Sequence, residues 1–127
     1  MPPYDATRFE PPAPLAFVTL QHPSTGAMEQ DVPMLLDSGA DITLIPQTVA
    51  DSLGVAPMPD TSYQLMAFDG GTSLASAVRL DLVLQRRTFR GQFLLIDQDW
   101  GILGRNILNA MALILDGPNQ SWGEWQP

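Results

Sequence analysis

The chain has 127 residues, of which 45% are hydrophobic, and its formal net charge is −8. This length suits one domain, the composition suits a packed core, and the acidic balance disfavours binding to nucleic acid or to anionic membranes. The sequence contains no Cys and no Lys, which excludes disulfides, a thiol nucleophile, Schiff-base chemistry and a phosphate-binding loop lysine.

The only histidine, His22, lies in a Gln-His-Pro-Ser-Thr-Gly stretch whose residues favour a turn. A Ser-His-Asp triad or a zinc site would have to be built on this one residue, so both are disfavoured. A metal site made of oxygen ligands alone stays open as an alternative. We expect no metal and no cofactor, so any chemistry must come from carboxylates.

The N-terminal segment contains five prolines in residues 1–14, which is typical of an extended, loosely attached arm. We assign residues 15–117 to the folded domain and residues 118–127 to a tail that contains Trp122 and Trp125. The sequence shows neither a signal-peptide pattern nor an apolar run long enough to span a membrane, which favours the cytoplasm.

Short apolar runs divided by Gly, Pro and Asp follow the arm and predict a mostly-β domain. Asp69-Gly70-Gly71 predicts a hairpin turn, because glycine adopts positive φ at little cost. The predicted elements, in chain order, are strands over 15–21, 32–36 and 42–45, a helix over 46–53, strands over 63–68, 72–77, 78–84 and 89–96, a helix over 105–110 and a strand over 111–115.

The stretch that carries chemistry is Leu35-Leu36-Asp37-Ser38-Gly39-Ala40. An apolar strand leads directly into a carboxylate, followed by a hydroxyl and a glycine. A carboxylate beside leucines must be hydrogen-bonded or paired, so this loop is expected to hold Asp37 in a fixed position. Taken alone, the pattern also fits an ordinary Asp-Ser-Gly turn after a strand.

Three ordered motifs together resemble the retropepsins, the aspartic proteases of retroviruses and their cellular and bacterial relatives. Residues 35–40 match the family's apolar-apolar-Asp-(Ser/Thr)-Gly-Ala loop, and residues 68–72 lie where its glycine-rich flap is expected. Residues 102–106, Ile-Leu-Gly-Arg-Asn, match its apolar-apolar-Gly-Arg-(Asn/Asp) segment, which opens a short helix. The proline-rich arm and the Trp-containing tail are not hallmarks of the family.

This resemblance implies a closed β-barrel subunit with one short C-terminal helix, acting as a homodimer on an extended peptide or protein substrate. Asp37 would be the catalytic residue. Because the chain carries only one such motif, an aspartate dyad would need two chains. Ser38, Gly39 and Ala40 would support the loop.

The resemblance also implies the substrate-binding residues. Gly39 and Asp41 would contact substrate, together with flap residues Phe68, Asp69, Gly70 and Gly71. Asp41 and Arg105 would form the family's buried ion pair.

Two other functions compete with proteolysis. A retropepsin-like dimer can bind peptides or partners without cleaving them. Alternatively, Asp37 can be a phosphate-accepting nucleophile, although such sites usually need a lysine, which the chain lacks. A plain hairpin is the alternative to a flap at Gly70 and Gly71, and solvated surface charges are the alternative to an Asp41–Arg105 pair.

Overall fold

The computed structural model describes residues 1–59, 62–66 and 70–127. Within these residues the chain is mostly β, as predicted, with two short helices. The strands are β1 (Tyr4–Asp5), β2 (Ala13–Gln21), β3 (Met28–Leu36), β4 (Leu44–Pro46), β5 (Ser62–Met66), β6 (Thr72–Leu84), β7 (Arg87–Ile96), β8 (Gly101–Leu103), β9 (Leu113–Asp116) and β10 (Ser121–Glu124), and the helices are α1 (Gln47–Leu53) and α2 (Arg105–Leu108).

Eight strands form one sheet in the order β1-β2-β3-β8-β4-β7-β6-β5. β6 also pairs with β2, from Thr19 opposite Val83 to Gln21 opposite Asp81. The series of paired strands that leaves β2 through β3 therefore comes back to β2 through β6. Hairpin neighbours are antiparallel, whereas β3 runs parallel to β8 and β4 runs parallel to β7. These parallel pairs bring together segments that are distant in sequence.

The alternation predicted for β6 is confirmed, and it defines the core. Val78, Leu80 and Leu82 are fully buried, whereas Arg79 between them is exposed. They pack with apolar residues of β2, β3, β7, β8 and both helices in one cluster. Period-two burial of this kind places one face of a strand in the core and the other in water.

The helix predicted after Pro46 is also confirmed, and its ends follow from backbone chemistry. Proline fixes φ near the helical value but lacks an N–H, so it suits the start of a helix. α1 begins at Gln47, and Gly54 ends it at φ 73°, a left-handed conformation that glycine adopts readily.

Both termini are attached to the domain, so the loosely attached arm predicted from composition is wrong. β1 pairs with β2, the Trp122 amide donates to Pro2 O at 2.9 Å, and Arg87 forms an ion pair with Glu124. The predicted tail contains β10, which pairs with β9. The indole of Trp122 is buried and donates to Leu15 O at 3.1 Å.

Asp5 organises the turn that follows β1. Its carboxylate accepts hydrogen bonds from the Arg8 amide at 2.7 Å and the Thr7 amide at 3.1 Å, and it pairs with the Arg8 guanidinium at 2.6 Å. The Arg8 amide contributes most to holding the pKa of Asp5 below its usual value, and the Arg8 and Thr7 side chains add to this.

Candidate active site

Two parallel strands place Asp37 at their common end. Leu36, the last residue of β3, lies opposite Leu103, the last residue of β8. The Asp37 amide then donates to Leu103 O at 3.0 Å, which continues the ladder by one bond. Strands positioned by the core therefore fix the backbone of Asp37, although the residue itself is only half-buried.

The loop after Asp37 folds back on the carboxylate. The Gly39 amide donates to Asp37 Oδ1 at 3.0 Å, and the Ala40 amide donates to Asp37 O at 3.1 Å. A Cβ at Gly39 would lie 3.2 Å from Asp37 Oδ1, closer than most side-chain contacts. Glycine therefore lets the backbone approach the carboxylate and hold one of its oxygens, while Ser38 and Gly39 remain exposed.

The segment that opens α2 supports this loop from the other side. The Arg105 amide donates to Ala40 O at 2.8 Å, and its guanidinium Nη1 donates to Ser38 O at 2.7 Å. Gly104 packs against Ile42, so that a Cβ would lie 2.5 Å from Ile42 O. The two motifs recognised in the sequence are thus in direct contact.

Thr43 completes the connection and was not predicted as a site residue. It is fully buried; its hydroxyl accepts from the Gly104 amide at 3.0 Å and donates to Asn106 Oδ1 at 2.7 Å. The only sequence signal is a polar residue inside an apolar run, Ile42-Thr43-Leu44. A buried hydroxyl needs hydrogen-bond partners. Here the Thr43 hydroxyl is the acceptor for the Gly104 amide, which belongs to the segment that supports the Asp37 loop.

The predicted ion pair between Asp41 and Arg105 is absent from the ion pairs among the described residues of the single chain. Both residues are exposed, and Arg105 is directed to the Ser38 carbonyl instead. The buried pair in a dimer therefore stays a prediction.

The predicted hairpin is confirmed at its base, where β5 pairs with β6 from Ser62 opposite Ser76 to Met66 opposite Thr72. Gly70 has φ 84°, which explains why glycine is needed there, and both Gly70 and Gly71 are exposed. Two further predicted flap residues, Phe68 and Asp69, lie outside the described residues. The use of this hairpin as a flap stays a prediction.

The single chain offers one fixed carboxylate in an open setting. Two surface depressions, of about 330 and 530 Å³, are lined by other segments, and neither includes Asp37. Among the described residues, no three His, Asp or Glu side chains are grouped as metal ligands would be. No helix in the described part of the chain is long and apolar enough to cross a membrane. General acid and general base chemistry on one substrate needs a second titratable group beside Asp37.

The β-rich fold and the supported Asp-Ser-Gly-Ala loop define the class of the aspartic proteases. The chain belongs to the aspartyl protease family, whose sequence profile matches residues 25–107 and so includes both motifs. The predicted resemblance to the retropepsins is thereby confirmed.

One solved structure that shares the fold is the EIAV protease complexed with the inhibitor HBY-793. It aligns with a TM-score of 0.59 and 22% identity, over 77% of this chain and 86% of that chain. At this identity the likeness establishes the fold. No curated protein sequence matches the chain.

Proposed function

We propose that the chain is an aspartic endopeptidase whose active site forms between two copies, each contributing Asp37. The observation that carries the proposal is the loop geometry. A carboxylate held by the Gly39 amide at 3.0 Å is supported by Leu103 and Arg105 of the second family motif. Because the chain has one Asp-Ser-Gly-Ala loop, the second carboxylate has to come from a second copy.

Two carboxylates in close contact do not both ionise easily, so the pair shares one proton. The ionised Asp37 accepts a proton from a water molecule, and the water oxygen attacks the carbonyl carbon of the peptide. The protonated Asp37 donates its proton to the carbonyl oxygen. Collapse of this tetrahedral intermediate breaks the C–N bond as a proton passes to the leaving nitrogen, and no covalent enzyme intermediate forms.

The neighbouring residues take roles that follow from their positions. In this proposal the Ser38 hydroxyl hydrogen-bonds across the two-fold axis, and Gly39 offers its carbonyl to substrate backbone; both residues are exposed. The β5–β6 hairpin, with Gly70 and Gly71 near its tip, closes over the substrate as a flap. Asp41, being exposed, is available to bind the substrate backbone at the end of the cleft.

The substrate in this proposal is an extended peptide, because a cleft between β-rich subunits recognises backbone by strand-like hydrogen bonds. Apolar side chains at the scissile bond suit an apolar cleft. The subunit then corresponds to a closed β-barrel, consistent with the return of the strand pairing from β6 to β2.

The test is digestion of a denatured proteome, with the new termini identified by mass spectrometry. Wild type is expected to cleave with a bell-shaped pH profile on the acidic side of neutrality, to resist chelators and to be inhibited by pepstatin. Asp37→Asn is expected to lose at least about a thousandfold in rate, because the shared proton and the base are both removed. Asp51→Asn is the matched control, since Asp51 is an exposed carboxylate on α1.

A family member that binds peptides without cleaving them is distinguished by the same experiment. Binding of an apolar peptide library without new termini, equal in wild type and Asp37→Asn, would contradict the proposed endopeptidase. Cleavage that rises steadily to about pH 9, or that chelators abolish, would contradict the dyad mechanism.

A further inference from the structure

Strand β7 has an uncovered edge along its first half. β6 pairs with β7 along residues 87–94, whereas β4 pairs with β7 only along residues 94–96. Within the described residues, no strand pairs with residues 87–93 on the side away from β6. An uncovered strand edge is a site where another strand can add.

The register shows which backbone groups face this edge. The Leu94 amide donates to Thr43 O at 3.3 Å, so it points away from β6. Successive residues of a strand direct their amides and carbonyls to opposite sides, and the pairing of β7 with β6 is regular along this stretch. Thr88, Arg90 and Gln92 therefore direct their amides and carbonyls to the uncovered edge, which we call the β7 edge (residues 88–92).

A groove runs along the β7 edge. A depression of about 330 Å³ is lined by residues 88–93 and, on α2, by Asn106 and Ile107. Gly91, in the middle of the edge, has no positive φ, and a Cβ there would meet nothing within 4 Å. Neither backbone conformation nor crowding therefore requires glycine at this position. The missing side chain leaves the groove open, at a volume within the range of ligand sites.

The exposed face of the edge is basic, in contrast to the rest of the chain. Residues 72–96 contain four of the six arginines and only one of the 14 acidic residues. Arg90 is 80% exposed, and its contact with Asp81 is long, at 3.8 Å. Thr88 and Gln92 are exposed on the same face. A basic face on a chain of net charge −8 favours an acidic partner.

The inner face of the edge is apolar. Phe89 is half-buried and packs against the core, and Phe93 and Ile107 are buried. The side chains of a strand point alternately to its two faces. In a strand added here, alternate side chains would thus lie beside Arg90 on the exposed face and beside Phe89 on the inner face.

We propose that the β7 edge binds an extended segment of a partner protein, in which acidic and apolar residues alternate. The segment adds to β7 as a further strand through hydrogen bonds to the backbone of Thr88, Arg90 and Gln92. Its acidic side chains lie next to Arg90, and its apolar side chains enter the groove beside Ile107. The site is complete in one chain and needs neither a second copy nor cleavage, so it is independent of the proposed function.

The first experiment locates the bound strand. The probe is an acetylated and amidated peptide of four Glu-Val repeats, and the peptide of four Lys-Val repeats is its charge-inverted control. With the Glu-Val peptide at saturation, amide hydrogen exchange followed by NMR is expected to slow at least about tenfold at Thr88, Arg90 and Gln92, because these amides gain acceptors. Exchange at Phe89 and Gly91, whose amides face β6, is expected to change less than about twofold. The Lys-Val peptide is expected to slow none of them.

The second experiment tests the charge at the edge. Arg90→Glu is expected to weaken binding of the Glu-Val peptide about tenfold in calorimetry, because an attraction becomes a repulsion. Arg79→Glu is the matched control, since Arg79 is exposed on the same face but lies on β6, one strand further from the edge. It is expected to weaken binding at most about threefold, being about 5 Å further from the added strand. Circular dichroism checks that both variants fold.

Three outcomes would overturn the proposal. The first is unchanged exchange at Thr88, Arg90 and Gln92 in the presence of the Glu-Val peptide, with or without effects at Gly39 of the Asp37 loop. The second is an equal loss of affinity in Arg90→Glu and Arg79→Glu, which would mean attraction to overall charge.

The third outcome concerns a second copy of the chain as the occupant. Amides of the β7 edge that are already protected in the free protein, together with a dimer dissociation constant raised by Arg90→Glu in sedimentation, would show that a second copy covers the edge. Fast exchange in the free protein and a dimer dissociation constant unchanged by Arg90→Glu are the results expected for a site open to a partner.

Discussion

The Asp37 loop depends on a residue outside both motifs, Thr43. Its buried hydroxyl is the acceptor for the Gly104 amide at 3.0 Å. Thr43→Val keeps the shape but leaves that buried N–H without a partner, at a cost of about 1–3 kcal/mol in the free energy of unfolding. Thr43→Ser keeps the hydroxyl and is expected to lose less, about 1 kcal/mol, from one missing methyl group. Urea unfolding measures both, and equal losses would mean that the hydrogen bond contributes nothing.

Gly104 supports a second prediction at this scale. A Cβ there would meet the Ile42 backbone at 2.5 Å, and backbone moves less readily than the end of a side chain. Gly104→Ala is expected to cost about 1–3 kcal/mol and to lower the cleavage rate, because the Asp37 loop must shift. Gly91→Ala is the matched control, since a Cβ there meets nothing within 4 Å. Thermal unfolding and cleavage rates are measured for both variants. If Gly104→Ala and Gly91→Ala lose similar stability and rate, the close approach of Gly104 to the Ile42 backbone is not needed.

Single residues show both what a motif predicts and what it does not. The order Asp37-Ser38-Gly39 predicted a loop that holds the carboxylate, because glycine lets the backbone approach it. The support of that loop by Arg105 was not predicted. The target of the Arg105 side chain was not predictable in this way. A guanidinium has several donors and many acceptors in reach, and here it selects the Ser38 carbonyl over Asp41.

At the scale of elements, the two ends of the chain were the least predictable parts. Five prolines suggested a loose arm, yet β1 pairs with β2 through Tyr4 and Asp5. β10 is four residues long, too short for a clear period of two. Both segments are held by tertiary contacts: β1 pairs with β2, and β10 pairs with β9 and buries Trp122. These contacts leave no periodic signal in the sequence.

Trp122 tests whether the C-terminal segment is part of the domain. It is 2% exposed and its indole N–H donates to Leu15 O. Trp122→Ala is expected to cost about 3–5 kcal/mol, from lost packing and an unpaired carbonyl. Trp125→Ala, at an exposed residue of the same segment, is expected to change monomer stability by less than about 1 kcal/mol. Both are measured by urea unfolding at low protein concentration. A small effect of Trp122→Ala would restore the view of residues 118–127 as a tail.

The turn at Asp5 gives a prediction in pH. Its pKa is lowered in the folded chain, chiefly by the Arg8 amide, so its stabilising effect is present above the usual aspartate pKa. That effect is lost as the pH falls through the lowered value. The stability difference between wild type and Asp5→Ala is therefore expected to be small but constant near about pH 6 and to shrink below about pH 4. Glu10→Ala, at an exposed residue of the same arm, is the control. A difference that grows on acidification would contradict this role for Asp5.

At the scale of the whole molecule, the antiparallel meander and the mostly-β class were predictable, whereas the sheet order was not. Hairpins join neighbours in sequence, so turn residues such as those around Gly70 indicate them. The parallel pairs β3–β8 and β4–β7 join strands far apart in the chain. Nothing local in either strand encodes that choice, so these pairs were not predicted. These parallel pairs are also what bring the two motifs together at Asp37.

The central prediction at this scale is that each active site contains two chains. Asp37→Asn removes a charge while nearly preserving shape, so the variant is expected to fold and to form dimers that are inactive.

Mixed in equal amounts with wild type and allowed to exchange, the variant is expected to leave about one quarter of the dimers with two aspartates, by random pairing. Activity then falls to about a quarter of that of the undiluted wild type, whereas independent chains would retain about half. Asp51→Asn, mixed in the same way, is expected to leave activity unchanged. The specific activity of wild type should also fall on dilution, because monomers carry half of a site. A linear mixing curve together with dilution-independent specific activity would mean that each chain works alone.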